Sequence, residues 1–121
     1  MKVSVVLPAK NEEVSVGKVV ADIVAMYPSF EVILVNDGST DETARVARHA
    51  GALVVSHPYS KGNGAAIKSG ARAASGDVIV FMDADGQHDA ADIQGLLDLI
   101  RDGYDLAVGA RQRGSQASIG R

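Results

Sequence analysis

The sequence predicts an α/β fold: a mainly parallel sheet with helices on both faces. Three observations carry that prediction. Short β-branched runs alternate with longer stretches of helical period along the whole chain. The runs are nearly continuous in apolar residues, as in strands covered on both sides, rather than alternating as in strands with one wet face. Polar residues gather just after each run, at what becomes the carboxyl edge of such a sheet, where open α/β folds bind ligands.

The elements follow in order. Strands are expected from Val3 to Leu7, Glu31 to Val35, Ala52 to Val55, Val78 to Met82 and Asp105 to Val108. Between the first two, Val16, Val19, Val20, Ile23, Val24 and Tyr27 recur at helical spacing, and Pro28 blocks continuation. The second helix is expected to start near Ser39-Thr40-Asp41-Glu42, where Ser39 and Glu42 have capping-box spacing, and to end by Gly51. A third runs from about Gly64 to Ala74. A fourth carries Ile93, Leu96, Leu97 and Ile100 on one face and ends at Gly103. The remaining stretch, 111–121, is polar and without period.

At 121 residues the chain suits one domain, 1–121, with a real core. A net charge of −3 with interspersed signs gives no reason to expect a nucleic-acid partner. The absence of cysteine excludes disulfides and thiolate metal sites. No apolar run approaches the ~20 residues of a membrane span, and the N-terminus is too short and strand-like for a signal peptide. A soluble, cytoplasmic chain is expected.

The residues after each strand are the candidate site. Asp83 and Asp85, with Gln87, offer hard oxygen ligands at alternate positions, suited to Mg²⁺ or Mn²⁺ held together with substrate phosphates. The plain alternative is that Asp85 or Asp89 caps the next helix, which accounts for one aspartate and not for the set. His88 beside them reads as an exposed loop histidine. Asp37 ends an apolar strand and could accept hydrogen bonds from a base or ribose, yet Asn36-Asp37-Gly38-Ser39 is also strong turn chemistry. Lys61-Gly62-Asn63-Gly64-Ala65-Ala66 puts small residues at a loop-to-helix junction whose free N–H groups can face an anion. It is neither a dinucleotide fingerprint nor a Walker loop, and close helix–sheet packing explains the small residues equally well. Arg111 could fork onto a phosphate or lie solvated. Asn11, in Pro8-Ala9-Lys10-Asn11-Glu12, could cap a helix.

Taken in sequence, five segments resemble the family 2 glycosyltransferases of the GT-A fold. They are Leu7-Pro8-Ala9-Lys10-Asn11-Glu12-Glu13, Val35-Asn36-Asp37-Gly38-Ser39-Thr40-Asp41, Lys61-Gly62-Asn63-Gly64-Ala65-Ala66, Met82-Asp83-Ala84-Asp85-Gly86-Gln87-His88 and Val108-Gly109-Ala110-Arg111. Gln87 makes the chain most similar to the branch of dolichol- and polyprenyl-phosphate mannose or glucose synthases. The resemblance implies that Pro8, Ala9, Asn11 and Glu12 line a nucleotide pocket, that Asp37 contacts the base, and that Lys61 and Gly62 lie near the nucleotide. It implies a divalent cation on Asp83, Asp85 and Gln87, bridging the donor pyrophosphate, and Arg111 at the acceptor phosphate. Asp85 and Arg111 would be the catalytic pair. The implied reaction is inverting transfer from GDP-mannose or UDP-glucose to a polyprenyl phosphate, an acceptor that is already anionic and needs positioning more than a base. The first four matching segments belong to the donor side, so 1–121 is expected to be the nucleotide-sugar-binding part, with the acceptor half outside it. Asn36 departs from the first aspartate of many members.

Two other functions compete. One is a nucleotide-sugar-binding module without transfer, completed by self-association into a homodimer. The other is a phosphatase with an aspartate nucleophile at Asp83-Ala84-Asp85-Gly86. That class needs a downstream lysine, and no lysine follows Asp85.

Overall fold

A computed structural model of the chain describes residues 1–87 and 89–101. Four strands, β1 (Val3–Ala9), β2 (Glu31–Asp37), β3 (Leu53–His57) and β4 (Val78–Phe81), form one sheet of order β3-β2-β1-β4. All three pairings are parallel. Four helices alternate with them: α1 (Val16–Met26), α2 (Thr43–Ala50), α3 (Asn63–Ala73) and α4 (Asp92–Arg101). The expected fifth strand, the end of the fourth helix at Gly103, His88 and Arg111 lie outside the described residues.

The strand order accounts for the two layers. From β1 to β2 to β3 the chain steps one way across the sheet, and right-handed crossovers put α1 and α2 on one face. From β3 it returns past β2 and β1 to β4, so α3 lands on the other face. The buried residues divide accordingly. Val5, Leu7 and Leu34 face Val16, Val20 and Ile23 of α1, together with Ile93 and Leu96 of α4. Val6, Ile33 and Val35 face Ala66 of α3. Val24, expected on the buried face of α1, is 36% exposed at its rim.

Close packing accounts for Gly70 of α3, whereas a Cβ on Gly62 or Gly64 would meet nothing within 4 Å. A Cβ on Gly70 would stand 2.2 Å from Val6 Cγ1 and 3.2 Å from Val35 Cγ2. The helix therefore lies directly on the two central strands, and only hydrogen fits between.

β1 runs on to Ala9, β3 starts at Leu53 and β4 stops at Phe81; the ends of β2 and β3 and the start of α2 differ from expectation for a physical reason. The β2–β3 ladder runs two residues past the apolar runs, pairing Asn36 with Ser56 and Asp37 with His57. Side-chain bonds extend it: Asn36 Nδ2–H donates to Ser56 Oγ at 3.2 Å, and His57 meets Asp37. The capping box at Ser39 and Glu42 does not form. The helix begins at Thr43, whose N–H donates to Asp41 Oδ1 at 3.0 Å, while Ser39 Oγ accepts from the N–H of Asn11 at 2.9 Å. The side chain that caps the turn is Asp41, two residues later than expected.

No helix among the described residues is long and apolar enough to cross a membrane.

Candidate functional site

A cavity of about 300 Å³ opens at the carboxyl ends of β1, β2 and β4, lined by Pro8, Ala9, Lys10, Glu12, Asp37, Asn63, Ala66, Asp83, Ala84 and Asp85. It lies where the strand order reverses about β1, the usual binding crevice of an open parallel sheet. Pro8 helps to open it. Val6 C=O accepts from Met82 N–H at 3.0 Å, so Val6 points its polar atoms toward β4, and two residues on Pro8 points the same way. Proline has no N–H to continue that ladder. The β1–β4 register ends at Val6 and Phe81, and the chain beyond Phe81 is released to carry Asp83 and Asp85 around the cavity.

The loop after β1 is clasped to the loop after β2. Asn11 sits at φ 54°, a left-handed conformation that asparagine tolerates. Its Oδ1 accepts from Thr40 N–H at 2.8 Å and from Thr40 Oγ1–H at 3.3 Å. Glu12 N–H donates to Thr43 Oγ1 at 2.9 Å, and Glu13 N–H to Asp41 Oδ2 at 3.3 Å. Thr43 is fully buried, and its hydroxyl donates to Asp41. Asn11 thus holds the loop that brings Glu12 to the cavity.

Asp37 ends β2 at 6% exposure and is surrounded by donors. Oδ1 accepts from His57 Nδ1 at 2.8 Å and from Lys61 N–H at 2.8 Å. Oδ2 accepts from Gly62 N–H at 3.0 Å and from Ser60 Oγ–H at 3.1 Å. Burial alone raises the carboxyl pKa, but the bonds from Lys61, His57, Gly62 and Ser60 outweigh it and lower the pKa to about 2. The amides of Lys61 and Gly62, expected to face an anion, face this carboxylate instead. Gly38 makes the approach possible: at φ 73°, a Cβ on it would come within 2.4 Å of Ser60 N.

Asp83 and Asp85 are half-buried on the opposite wall. Ala84 between them points into the core, and its C=O accepts from Ser15 Oγ–H at 2.8 Å. Ser15 precedes α1, and its hydroxyl makes no bond to its own helix. It ties that helix to the aspartate loop instead. Asp85 Oδ1 accepts from Gln87 N–H at 3.0 Å, a local turn, while α4 begins only at Asp92. A helix-capping role for Asp85 is thereby excluded. Asp92 closes its own helix start by accepting from Asp89 N–H at 2.9 Å. Gln87 lines a neighbouring cavity of about 420 Å³ with Ser15, Lys18, Asp22 and Asp89.

Of the residues expected in the site, Pro8, Ala9, Glu12, Asp37, Asp83 and Asp85 come together on one cavity. Asn11, Lys61, Gly62 and Gln87 stand beside it as loop residues. Arg111 lies outside the described residues. Sequence reasoning missed Lys10, Asn63, Ala66 and Ala84 in the lining, although all four sit inside the quoted motifs. Ser15 and His57 act across 69 and 20 residues of chain; His57 heads the polar segment after the third strand without a role of its own in the sequence, and Ser15 leaves no local signal. Two carboxylates on one wall suit a hard divalent cation that completes its shell with water and phosphate. No cluster of three or more His, Asp or Glu with metal-site geometry occurs among the described residues.

Residues 4–119 match the family model described as glycosyl transferase family 2. An uncharacterized glycosyltransferase of Mycobacterium tuberculosis (strain ATCC 25618 / H37Rv) is 42% identical over 110 residues, covering 91% of this chain and 49% of that protein. The dolichol-phosphate mannosyltransferase of Pyrococcus furiosus is 35% identical, over 92% of this chain and 33% of that protein. The crystal structure of M. tuberculosis glucosyl-3-phosphoglycerate synthase with Mn²⁺, UDP-glucose and phosphoglyceric acid superimposes with a TM-score of 0.73 at 33% identity, over 84% of this chain and 40% of that one. The chain spans half or less of the length of each of these relatives. By the family match over nearly its whole length and by the GT-A architecture of its structural neighbours, the chain belongs to glycosyl transferase family 2.

Proposed function

We propose that the chain forms the donor side of an inverting, cation-dependent transferase that moves a sugar from a nucleotide-diphosphate sugar, GDP-mannose or UDP-glucose, to a polyprenyl phosphate. The observation that carries this reading is the convergence of Pro8, Ala9, Glu12, Asp37, Asp83 and Asp85 on one cavity at the carboxyl edge of the sheet. The names of the relatives support the two substrate classes: one acts on dolichol phosphate, and one was crystallised with UDP-glucose and Mn²⁺.

Each group has a part. The walls from Pro8 to Glu12, and the loop from Lys61 to Asn63 that Asp37 anchors, would receive the nucleoside. Asp83 and Asp85, with Gln87 beside them, would hold Mg²⁺ or Mn²⁺. Such a cation, when bound, offsets the charge that develops on a departing diphosphate. Asp85 would keep the diphosphate in line with the acceptor, and Arg111 would meet the acceptor phosphate. A lipid phosphate is ionised at neutral pH, so the chain has to orient it rather than deprotonate it.

Calorimetric titration with GDP and UDP, each with Mn²⁺ and again with EDTA, tests the reading. One nucleotide should bind only with the cation, and Asp85→Ala should abolish that binding while the protein stays folded. Binding that is indifferent to EDTA and to Asp85→Ala would overturn the cation role. No binding of either nucleotide would overturn the donor site.

A further inference from the structure

We infer that His57 is a positioning residue for the nucleotide side of the cavity: acting through the Asp37 carboxylate, it fixes the Lys61–Gly62 backbone that leads into α3. The inference rests on the donor-site reading above and adds a loop-holding part for Asp37 to it.

A carboxylate offers about four lone-pair directions. At Asp37 this chain fills them all: His57 Nδ1 and Lys61 N–H on Oδ1, Gly62 N–H and Ser60 Oγ–H on Oδ2. Asp37 therefore shapes the Lys61–Gly62 loop from the wall of the cavity it lines.

His57 is the donor to Asp37 with the most support behind it. An ionised carboxylate only accepts, so Nδ1 carries the proton. On the far side of the ring, Nε2 lies 2.7 Å from Ser69 Oγ, and in the neutral ring the hydroxyl is the donor. Ser69 belongs to α3, and Asp37 and His57 are register partners in the β2–β3 ladder. The ring is held at both ends by elements that also border the cavity. From Gly62, at φ 100°, α3 departs at once, carrying Asn63 and Ala66 into the cavity wall. A shift of the 61–62 backbone is a shift of that wall.

Two substitutions separate the two ends of the ring. In His57→Asn the amide nitrogen stands where Nδ1 stood and can still donate to Asp37. In His57→Gln it stands where Nε2 stood, which keeps Ser69 and loses Asp37. The readouts are amide hydrogen exchange at Lys61 and Gly62, and titration with UDP and GDP in the presence of Mn²⁺. His57→Gln should speed exchange at both amides about tenfold or more and weaken nucleotide binding about tenfold, the scale of one lost bond to a charged group. His57→Asn should restore both to within a few-fold. Ser69→Ala leaves Asp37 untouched and should move both readouts the same way by less, which keeps the test decisive if His57→Gln does not fold. Unchanged exchange in folded His57→Gln overturns the inference. Faster exchange with unchanged affinity also overturns it, since His57 would then only brace the fold. If the wild type binds neither nucleotide, the donor reading fails and the nucleotide role of His57 fails with it. The exchange rates still decide whether His57 holds the loop.

Discussion

Replacing Asp37 by asparagine changes one atom and separates two roles for this side chain. The carboxylate accepts two backbone N–H bonds, one on each oxygen. An asparagine keeps one acceptor oxygen and turns the other position into a donor. His57 can answer by changing tautomer, and Ser60 by turning its hydroxyl, but a backbone N–H can only donate. In either amide rotamer one of the Lys61 and Gly62 amides meets an NH₂ group. An unmade bond at a buried site costs about 1–3 kcal/mol, and the remaining bonds lose roughly half their strength when the charge goes. Together these give a destabilisation of about 3 kcal/mol, a large share of a total stability of about 5–15 kcal/mol. With a urea slope of about 1–3 kcal/mol per molar, the unfolding midpoint should fall by about 1 M or more. Equilibrium urea unfolding followed by circular dichroism measures it. If Asp37 were there chiefly to accept from a base, the variant would unfold at the wild-type midpoint and lose only nucleotide affinity. A midpoint shift below about 0.3 M, with weakened nucleotide binding, refutes the reasoning.

Three further outcomes follow from the same geometry. Asp37 has a folded-state pKa of about 2 against an ordinary 3.8, so its stabilisation is complete above about pH 4 and is lost as pH falls from there through 2. The difference between wild type and Asp37→Asn should shrink by about 2 kcal/mol across that window in pH-dependent unfolding, and a constant difference would contradict the depressed pKa. Gly70→Ala gains about 1 kcal/mol of helix propensity, but its methyl would stand 2.2 Å from Val6 Cγ1 in a fully buried contact. Overpacking of about 1–3 kcal/mol should prevail and lower the melting temperature; a stabilised variant would show that α3 is not seated this closely. Ser15→Ala removes the hydroxyl that holds Ala84 C=O. It should cost about 1 kcal/mol of stability and weaken Mn²⁺-dependent nucleotide binding several-fold, with Ser15→Thr restoring it; unchanged binding would detach Ser15 from the aspartate loop.

What was legible in the sequence was what depends on neighbours in the chain. Four strands and four helices are visible because buried strands and one-faced helices each impose their own apolar period. The errors lie where partners are distant. The apolar runs stop at Val35 and Val55, but Asn36–Ser56 and Asp37–His57 continue the ladder with polar pairs. The Ser39–Glu42 spacing suggested a capping box, but the serine hydroxyl answers the Asn11 amide 28 residues away. Ser15 carries no local signal at all, because its partner is the Ala84 C=O 69 residues away. Motif spacing locates the loops of the site without saying which polar atom in them faces the cavity and which faces another loop.

That distinction reorganises the site. Loops at the end of a parallel sheet carry backbone groups that neither ladder nor helix satisfies, and buried groups of that kind need partners. Asn11 answers Thr40, Asp37 answers Lys61 and Gly62, and Ser15 answers Ala84. These side chains complete the loops and so give the cavity its shape. Glu12, Asp83 and Asp85 line the same cavity from loops already held in this way. Substitution in the first group should act on stability and affinity together. Substitution of Asp83 or Asp85 should act on cation-dependent binding with the fold intact. The two groups are interleaved in the loops after β1 and β4, Asn11 beside Glu12 and Ser15 tied to the loop between Asp83 and Asp85, because a binding residue is only as well placed as the loop that carries it.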